Sequence, residues 1–278
     1  MTEQTTNTAR TASLLDTHVH FNHDVLGKEL PDVIRRAEAV GVERFVVVGF
    51  DLPSSEKAVA QAEADSRIYA VVGVHPHSAK EWNAEAAARL REWAQHPRVV
   101  AIGEIGLDFY RDLSPRSDQY RAFREQLALA GEVGMPVVIH CRDAYPETLD
   151  LLESEAGDTP ILLHCFAGSR EDAERAWAHG WYLGVGGTVT FKRNTELREI
   201  VRDAPETSLL LETDAPYLTP EPHRGKFPNE PRYIPLVAAC IASTRSTTTE
   251  QVARFTTANA ERFFPRLAYT EGIEQIAR

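Results

Sequence analysis

The sequence lacks long apolar runs, is poor in cysteine and has fewer basic than acidic residues. No hydrophobic stretch approaches the roughly 20 residues that a membrane-spanning helix requires, so we expect no interaction with a membrane. Three cysteines among 278 residues cannot make a disulfide framework, which favours a reducing, cytoplasmic location. The formal net charge of -11 argues against a broad basic surface for nucleic acid. It is compatible with an enzyme that meets a phosphate through bound cations.

The composition is typical of one globular domain preceded by a short tail. Hydrophobic residues make up 43% of the chain and charged residues 26%, which are ordinary values. Residues 1–12 are polar, rich in Thr and without the apolar stretch of a secretory signal, so we expect a disordered N-terminal tail. Residues 13–278 are expected to form a single domain. A monomer is compatible with this pattern, but the sequence does not fix the oligomeric state.

Short apolar segments alternate with helix-like segments along the chain. Eight segments rich in Val, Ile and Leu are typical of buried parallel strands. They cover residues 14–15, 44–49, 68–73, 99–103, 136–140, 161–164, 181–185 and 208–211. Helices are predicted at residues 31–40, 54–64, 84–95, 118–132, 145–154, 170–179, 195–202, 232–242 and 249–263.

This eightfold alternation predicts an α/β fold, a single (β/α)8 TIM barrel. A doubly wound open sheet is the alternative, because periodicity alone does not distinguish the two. In a barrel, functional side chains gather at the carboxyl ends of the strands.

Histidines and acids stand where the apolar segments end. His18 and His20 end the first segment, two residues apart and therefore on one side of the strand, a spacing that suits a shared metal ion. The fourth, fifth, sixth and eighth segments lead to Glu104, His140, His164 and Asp214. Each residue alone has a structural explanation, as a hydrogen-bonded side chain, a helix cap or a turn. Six such groups at one rim are costly to bury unless they bind metal, so the sequence predicts a metal site.

Four further residues have weaker signals. His75 and His77 follow the third segment and face the same mouth, either as contacts to substrate or ligands, or as structural hydrogen-bonding residues. Cys141 and Cys165 each follow a candidate ligand and are possible soft ligands. Because neighbouring side chains on a strand face opposite ways, small buried hydrophobes are favoured instead.

Nine short motifs, in this order, resemble the TatD-type metal-dependent deoxyribonucleases, which are amidohydrolase-like TIM-barrel hydrolases. They are DTHVH at 16–20, GVHPH at 73–77, GEIGLD at 103–108, HCR at 140–142, HCF at 164–166, ETDAP at 212–216, RGK at 224–226, NEP at 229–231 and NAERFF at 259–264. Phe21, Asn22 and His223 depart from the family pattern, but none of them replaces a candidate ligand.

The resemblance implies a barrel with two divalent ions, which are Mg, Mn or Zn. On the family pattern, the histidines of the first motif hold one ion, with Asp214 on its side. His140 and His164 hold the other ion, and Glu104 bridges the two.

The resemblance also implies trimming of DNA or RNA ends, with single strands preferred. Two ions that share a water lower its pKa toward neutrality and supply a hydroxide for attack on phosphorus. Asp214 and Glu104 are the catalytic candidates, Asp214 as the group that orients the water and takes its proton.

Three cations near the mouth are candidates for binding phosphate oxygens, and surface salt bridges are the alternative. They are Arg142, Arg224 and Lys226. Two other functions stay open, namely hydrolysis of a small lactone, ester or amide, and an inactive partner protein that keeps the fold.

Overall fold

Eight strands pair side by side in sequence order, each parallel to its neighbours. The computed structural model describes residues 13–267. The predicted tail at 1–12 and residues 268–278 lie outside that range. The strands are β1 (Leu14–Val19), β2 (Val42–Val48), β3 (Ile68–Val72), β4 (Val99–Asp108), β5 (Val137–Arg142), β6 (Ile161–Leu163), β7 (Tyr182–Val185) and β8 (Leu209–Leu211).

Helices connect the strands and surround them. They are α1 (Asp24–Gly27), α2 (Leu30–Glu38), α3 (Leu52–Ala64), α4 (Ala84–Trp93), α5 (Arg116–Val133), α6 (Tyr145–Glu155), α7 (Arg170–Ala178), α8 (Thr195–Asp203), α9 (Ile234–Arg245) and α10 (Thr249–Phe263). Short 3-10 turns cover Pro76–Glu81, Gly187–Thr190, Glu206–Ser208 and Pro231–Tyr233. Within residues 13–267, no helix is long and apolar enough to cross a membrane.

The sheet closes on itself between β1 and the segment after β8. Val19 and Ala215 form a parallel bridge, and the backbone N–H of His20 donates to the Ala215 carbonyl at 2.8 Å. The Thr17 hydroxyl donates to the Leu211 carbonyl at 2.8 Å. The sequential order and this seam confirm the predicted barrel and exclude the doubly wound alternative, in which the strand order reverses.

Alternating side chains divide the strands between two cores. In β2, Phe45 and Val47 pack in the layer between the strands and the helices, whereas Val46 and Val48 belong to the barrel interior. Phe264, just after α10, joins the interior cluster. The amino-terminal end of the barrel is therefore filled with apolar side chains, which leaves the carboxyl end for polar groups.

Two strands extend well beyond their predicted ends. The first was predicted over 14–15 but runs to Val19, and the fourth was predicted to end at 103 but continues to Asp108. Both extensions contain polar residues, which is why apolar periodicity did not detect them. The barrel interior near the mouth is polar, so strands end later than their hydrophobic runs.

A buried glutamine fixes the backbone just before His75. The Gln126 side chain of α5 is fully buried, accepts from the Val74 N–H at 2.8 Å and donates to the Val74 carbonyl at 3.0 Å. The Gln126 amide thereby hydrogen-bonds both backbone groups of Val74, which lies outside the strands. It also fixes the position of the segment that contains His75.

Gln126→Ala should lower the free energy of unfolding by about 3 kcal/mol, because it leaves the buried N–H and carbonyl of Val74 without partners. Urea titration monitored by circular dichroism measures this change. Gln95→Ala, at an exposed position after α4, is the matched control and should change stability by less than about 0.5 kcal/mol. Equal stability of the two variants would refute the role given to Gln126.

Candidate metal centre

The six predicted ligands all reach the carboxyl-terminal mouth of the barrel. His18 lies inside β1, Glu104 inside β4 and His140 inside β5. These positions differ from the prediction that each residue ends or follows its strand, because the strands run further. Side chains on the inner face of a strand point into the barrel, so all three side chains lie within the mouth.

The other candidates stand in the loops directly above the strands. His20 and His164 come immediately after β1 and β6, Asp214 comes three residues after β8, and His75 three residues after β3. Asp214 has φ 55°, a backbone conformation that Asp and Asn tolerate better than most residues. Its backbone N–H donates to the His18 carbonyl at 2.9 Å, so the seam of the barrel positions it.

Glu104 is the centre of the cluster. Its Oε1 lies 2.7 Å from His164 Nε2, 2.8 Å from His140 Nδ1 and 3.6 Å from His75 Nε2. Its Oε2 lies 3.5 Å from His18 Nε2. One carboxylate thus faces four imidazoles, with both oxygens engaged, as expected of a group that bridges two cations.

Asp214 stands on the other side of His18. Its Oδ1 lies 3.3 Å from His20 Nε2 and 3.9 Å from His18 Nε2. The Asp214 side chain is 16% exposed, against 5% for Glu104. Asp214 is therefore the acid of the cluster that is more accessible to water.

The potential ligand atoms form three overlapping groups, each within 4.8 Å. The groups are His18, His20 and Asp214; His18, Glu104 and His164; and His75, Glu104 and His140. His18 and Glu104 each belong to two of them. The division of ligands between two ions that the family pattern implies stays a prediction.

His18 indicates that the cluster suits a metal. The residue is fully buried, yet neither of its ring nitrogens has a hydrogen-bond partner. Burial, followed by the charge of His164, lowers the pKa of His18, so the ring is neutral and keeps a lone pair. A buried unpartnered nitrogen is costly, and a cation at that lone pair would remove the cost. Imidazole nitrogens with carboxylate oxygens are a donor set for Zn, Mn and similar ions.

Hydrogen bonds behind the cluster orient the rings. His20 Nδ1 lies 2.9 Å from the Val48 carbonyl oxygen, which can only accept, so Nδ1 carries a proton and Nε2 faces Asp214. His140 Nε2 lies 3.0 Å from Asp108 Oδ2, which turns Nδ1 toward Glu104. Such partners behind metal-binding histidines fix the tautomer and the ring orientation.

His75 is oriented as a donor. Its Nδ1 accepts from the backbone N–H of His77 at 3.1 Å, so the proton of the neutral ring sits on Nε2. Burial, followed by the His140 charge, holds the pKa of His75 well below its ordinary value. His77 Nε2 in turn lies 2.8 Å from Asp108 Oδ2. His75 therefore offers an N–H toward Glu104 and the space around it.

The pKa values of Glu104 and His164 are shifted from their ordinary values in opposite directions. Burial alone would raise the pKa of Glu104, but the charge of His164 and the hydrogen bonds from His140 and His164 hold it well below its usual range. Burial alone would lower the pKa of His164, but the Glu104 carboxylate raises it well above its ordinary value. The carboxylate is ionised at neutral pH and pairs with a cation, as it would with a metal.

Sequence reasoning missed three buried acids around the cluster. Asp108 contacts His77 and His140, as described above, and Glu212 Oε1 lies 3.5 Å from His164 Nδ1. Asp16 accepts from the Thr213 hydroxyl at 2.6 Å and the Thr213 N–H at 3.0 Å. Asp16 and Glu212 lie within motifs at strands β1 and β8, and their position two residues before a candidate ligand was an available signal.

The predicted phosphate-binding cations lie on exposed segments at the mouth. The Arg142 guanidinium carbon lies 4.0 Å from the Tyr110 ring centroid, and that of Arg224 lies 4.1 Å from the Phe191 centroid. Lys226 is exposed in the loop after β8. Binding of substrate by these three residues stays a prediction.

The two cysteines near the site do not join it. Cys141 is buried in the layer between strands and helices, as predicted for a small hydrophobe, and Cys165 is half-buried. Within residues 13–267, no candidate metal-binding group contains a cysteine.

The chain belongs to the TatD related DNase family, whose sequence model matches residues 15–265. The predicted family resemblance is thereby confirmed over nearly the whole domain. The match includes every residue of the cluster described above.

Individual relatives agree with this membership. The chain is 44% identical over 252 residues to the uncharacterized metal-dependent hydrolase YabD of Bacillus subtilis, covering 90% of this chain and 98% of that protein. It is 42% identical over 253 residues to the 3'-5' ssDNA/RNA exonuclease TatD of Cronobacter sakazakii, covering 89% and 94%. The solved structure of YJJV, a TatD homologue from Escherichia coli K12, superposes with a TM-score of 0.86 at 30% identity, covering 92% of this chain and 99% of that one.

Proposed function

We propose that this protein is a metal-dependent phosphodiester hydrolase that removes nucleotides from the 3' ends of single-stranded DNA or RNA. The observation that carries the proposal is the buried Glu104 carboxylate, which faces four imidazoles. One of them, His18, has no hydrogen-bond partner, and the more exposed Asp214 lies beside it. The relatives named as 3'-5' ssDNA/RNA exonucleases, about 40% identical to this chain, support the substrate and the polarity.

The donor set suits divalent cations, and we place two ions here. His18, His20 and Asp214 would hold one ion, and Glu104, His140 and His164 would hold the other. Imidazole ligands suit Zn, whereas carboxylate oxygens suit Mg and Mn, so an experiment must identify the metal. When bound, the ions supply charge stabilisation at the phosphate and acidify a water molecule.

The side chains would take part in proton transfer and in binding of the phosphate. Asp214 accepts a hydrogen bond from the attacking water and takes its proton. The water oxygen forms a bond to phosphorus, one ester P–O bond breaks, and the released oxygen takes a proton from solvent while Asp214 returns its own proton to solvent. The products are a phosphate monoester and an alcohol. His75 donates its Nε2 hydrogen to a non-bridging oxygen, and Arg142 binds a neighbouring phosphate.

A cytoplasmic location stays a prediction from the few cysteines. A monomeric state also stays a prediction. Neither is needed for the proposed chemistry.

Removal of metal should abolish cleavage. We expect purified protein with Mg or Mn to shorten a 5'-labelled single-stranded oligonucleotide in a ladder, and a chelator to stop it completely, because no other group in the mouth replaces the charge of the ions. Readdition of Mg, Mn or Zn in turn identifies the metals that restore turnover.

The same experiment distinguishes the other functions. If metal-loaded protein leaves the labelled oligonucleotide intact but opens a lactone or cleaves an ester, hydrolysis of a small molecule would replace the nuclease proposal. Protein that binds no metal and cleaves nothing would indicate an inactive relative. A ladder that persists in chelator would contradict the metal dependence itself.

A further inference from the structure

Two exposed tyrosines stand on the rim of the candidate metal centre. Tyr110 is 58% exposed and Tyr217 is 47% exposed, whereas most large hydrophobic side chains of the described chain are buried. Exposed aromatic rings beside a charged cleft are a feature of sites that bind single-stranded nucleic acid.

The barrel places the two rings on opposite sides of the mouth. Tyr110 lies two residues after the end of β4, and Tyr217 lies in the loop after β8. The eight strands follow each other in sequence order around the barrel, so β4 and β8 are separated by half a turn. A strand of nucleic acid that entered the mouth would therefore have one ring on each side.

Contacts join Tyr110 to one flank of the cluster. Asp108, two residues earlier, lies within 3.0 Å of His140 Nε2. The Arg142 guanidinium covers one face of the Tyr110 ring at 4.0 Å. The Arg111 guanidinium lies farther from the ring, at 5.9 Å, and the Tyr110 side chain stays 58% exposed.

Contacts join Tyr217 to the other flank. Its ring centroid lies 6.3 Å from that of His20, and its backbone N–H donates to the Asp214 carbonyl at 2.8 Å. Asn229 holds the Tyr217 carbonyl from the other side at 2.6 Å. The Tyr217 backbone is thus fixed next to the acid that is most accessible to water.

We propose that Tyr110 and Tyr217 each stack on one unpaired base of the substrate, one on each side of the phosphate that lies at the metal centre. This inference rests on the proposed nuclease function and names how that site selects its substrate. Stacking requires bases that are not paired, so the two rings select a single-stranded end over a duplex.

The net negative charge of the protein favours stacking as a source of binding. With a net charge of -11, the chain gains little from the general attraction of a basic surface to a phosphate backbone. Stacking on aromatic rings supplies binding that does not depend on net charge or sequence. Arg142 serves twice, since it supports the Tyr110 ring and offers its donors to the adjoining phosphate.

Alanine variants test the two rings. Tyr110→Ala and Tyr217→Ala should each raise the KM for a single-stranded oligonucleotide about 10-fold, with kcat changed much less. Tyr110→Phe and Tyr217→Phe should recover most of the loss, because they keep the ring face. Leu113→Ala is the matched control, since Leu113 lies in the same loop as Tyr110 and is also 58% exposed.

Removing the base tests whether the effect acts through stacking. On an oligonucleotide whose last three nucleotides are abasic, wild type and both alanine variants should have the same KM. In the Asp214→Asn background, which slows consumption of the strand, 2-aminopurine in these positions should be quenched on binding. The quenching should be lost in the alanine variants and kept in Leu113→Ala.

Each outcome decides between the two proposals. Cleavage by wild type with no change of KM or quenching in the alanine variants overturns the stacking proposal and leaves the nuclease standing. Quenching that needs the tyrosines, without any cleavage, leaves a strand-binding site and overturns the nuclease. Protein that neither quenches nor cleaves overturns both.

Discussion

Glu104→Gln should lower kcat/KM for a single-stranded oligonucleotide by at least about 1000-fold, equal to about 4 kcal/mol of transition-state stabilisation. Glu104 is the carboxylate that faces four imidazoles, and a neutral amide cannot balance two cations there. Metal content, measured by mass spectrometry after dialysis, should fall together with activity. The amide preserves the volume of the side chain, so the fold should survive.

Glu43→Gln provides the control for this substitution. Glu43 is exposed near the start of β2, at the end of the barrel opposite the mouth. We expect unchanged activity and metal content. A Glu104→Gln variant that keeps its metal and its activity would remove Glu104 from the centre of the mechanism.

Asp214→Asn should lower kcat by about 100-fold to 10,000-fold, the range for loss of a positioned general base. Asn keeps the size of the side chain and tolerates the positive φ of residue 214. Steady-state kinetics with the oligonucleotide should show a much smaller change in KM, because the strand is held by other residues.

Metal content separates the two roles of Asp214. Retention of two ions with lost kcat indicates proton transfer, whereas loss of one ion indicates that ligation dominates. Asp158→Asn, at an exposed position before β6, should behave as wild type. Asp214→Asn with kcat within about threefold of wild type would contradict both roles.

The sequence was sufficient to predict the barrel and the six-residue cluster. Val, Ile and Leu runs located every strand, because parallel strands are buried on both faces and read as continuous apolar segments. His18 and His20 were predicted on one side of β1 from a spacing of two, and the structure brings both to the cluster. The ligating roles themselves stay predictions.

Other features depend on contacts that no local pattern contains. The pairing of β4 with β5 shifts register between Ile102 and Ile105, so β4 continues past Glu104 to Asp108. A side chain at Gly106 would collide with the His140 carbonyl oxygen, so glycine allows the two strands to approach there. The apolar pattern of β4 is interrupted at Gly103 and Gly106. The contact of Asp108 with His140 was therefore not predicted.

The sequence also could not show which rings remain exposed. Tyr110 and Tyr217 stand in loops that follow strands, and many other residues in such loops are buried. Their exposure results from how the loops after β4 and β8 fold, which involves contacts between distant parts of the chain, such as Arg142 with Tyr110.

The seam between the first strand and the segment after the eighth has a consequence for how the centre is assembled. Asp16 and Thr213 meet across it, 197 positions apart, and His20 and Asp214 face each other just above. A chain that ends before β8 contains every histidine of the cluster but cannot place Asp214 beside His20. On the proposed function, nuclease activity therefore requires the final closure of the barrel. Ions bound across the seam would stabilise the closed barrel. On the same proposal, unfinished or fragmented copies are expected not to cleave nucleic acid.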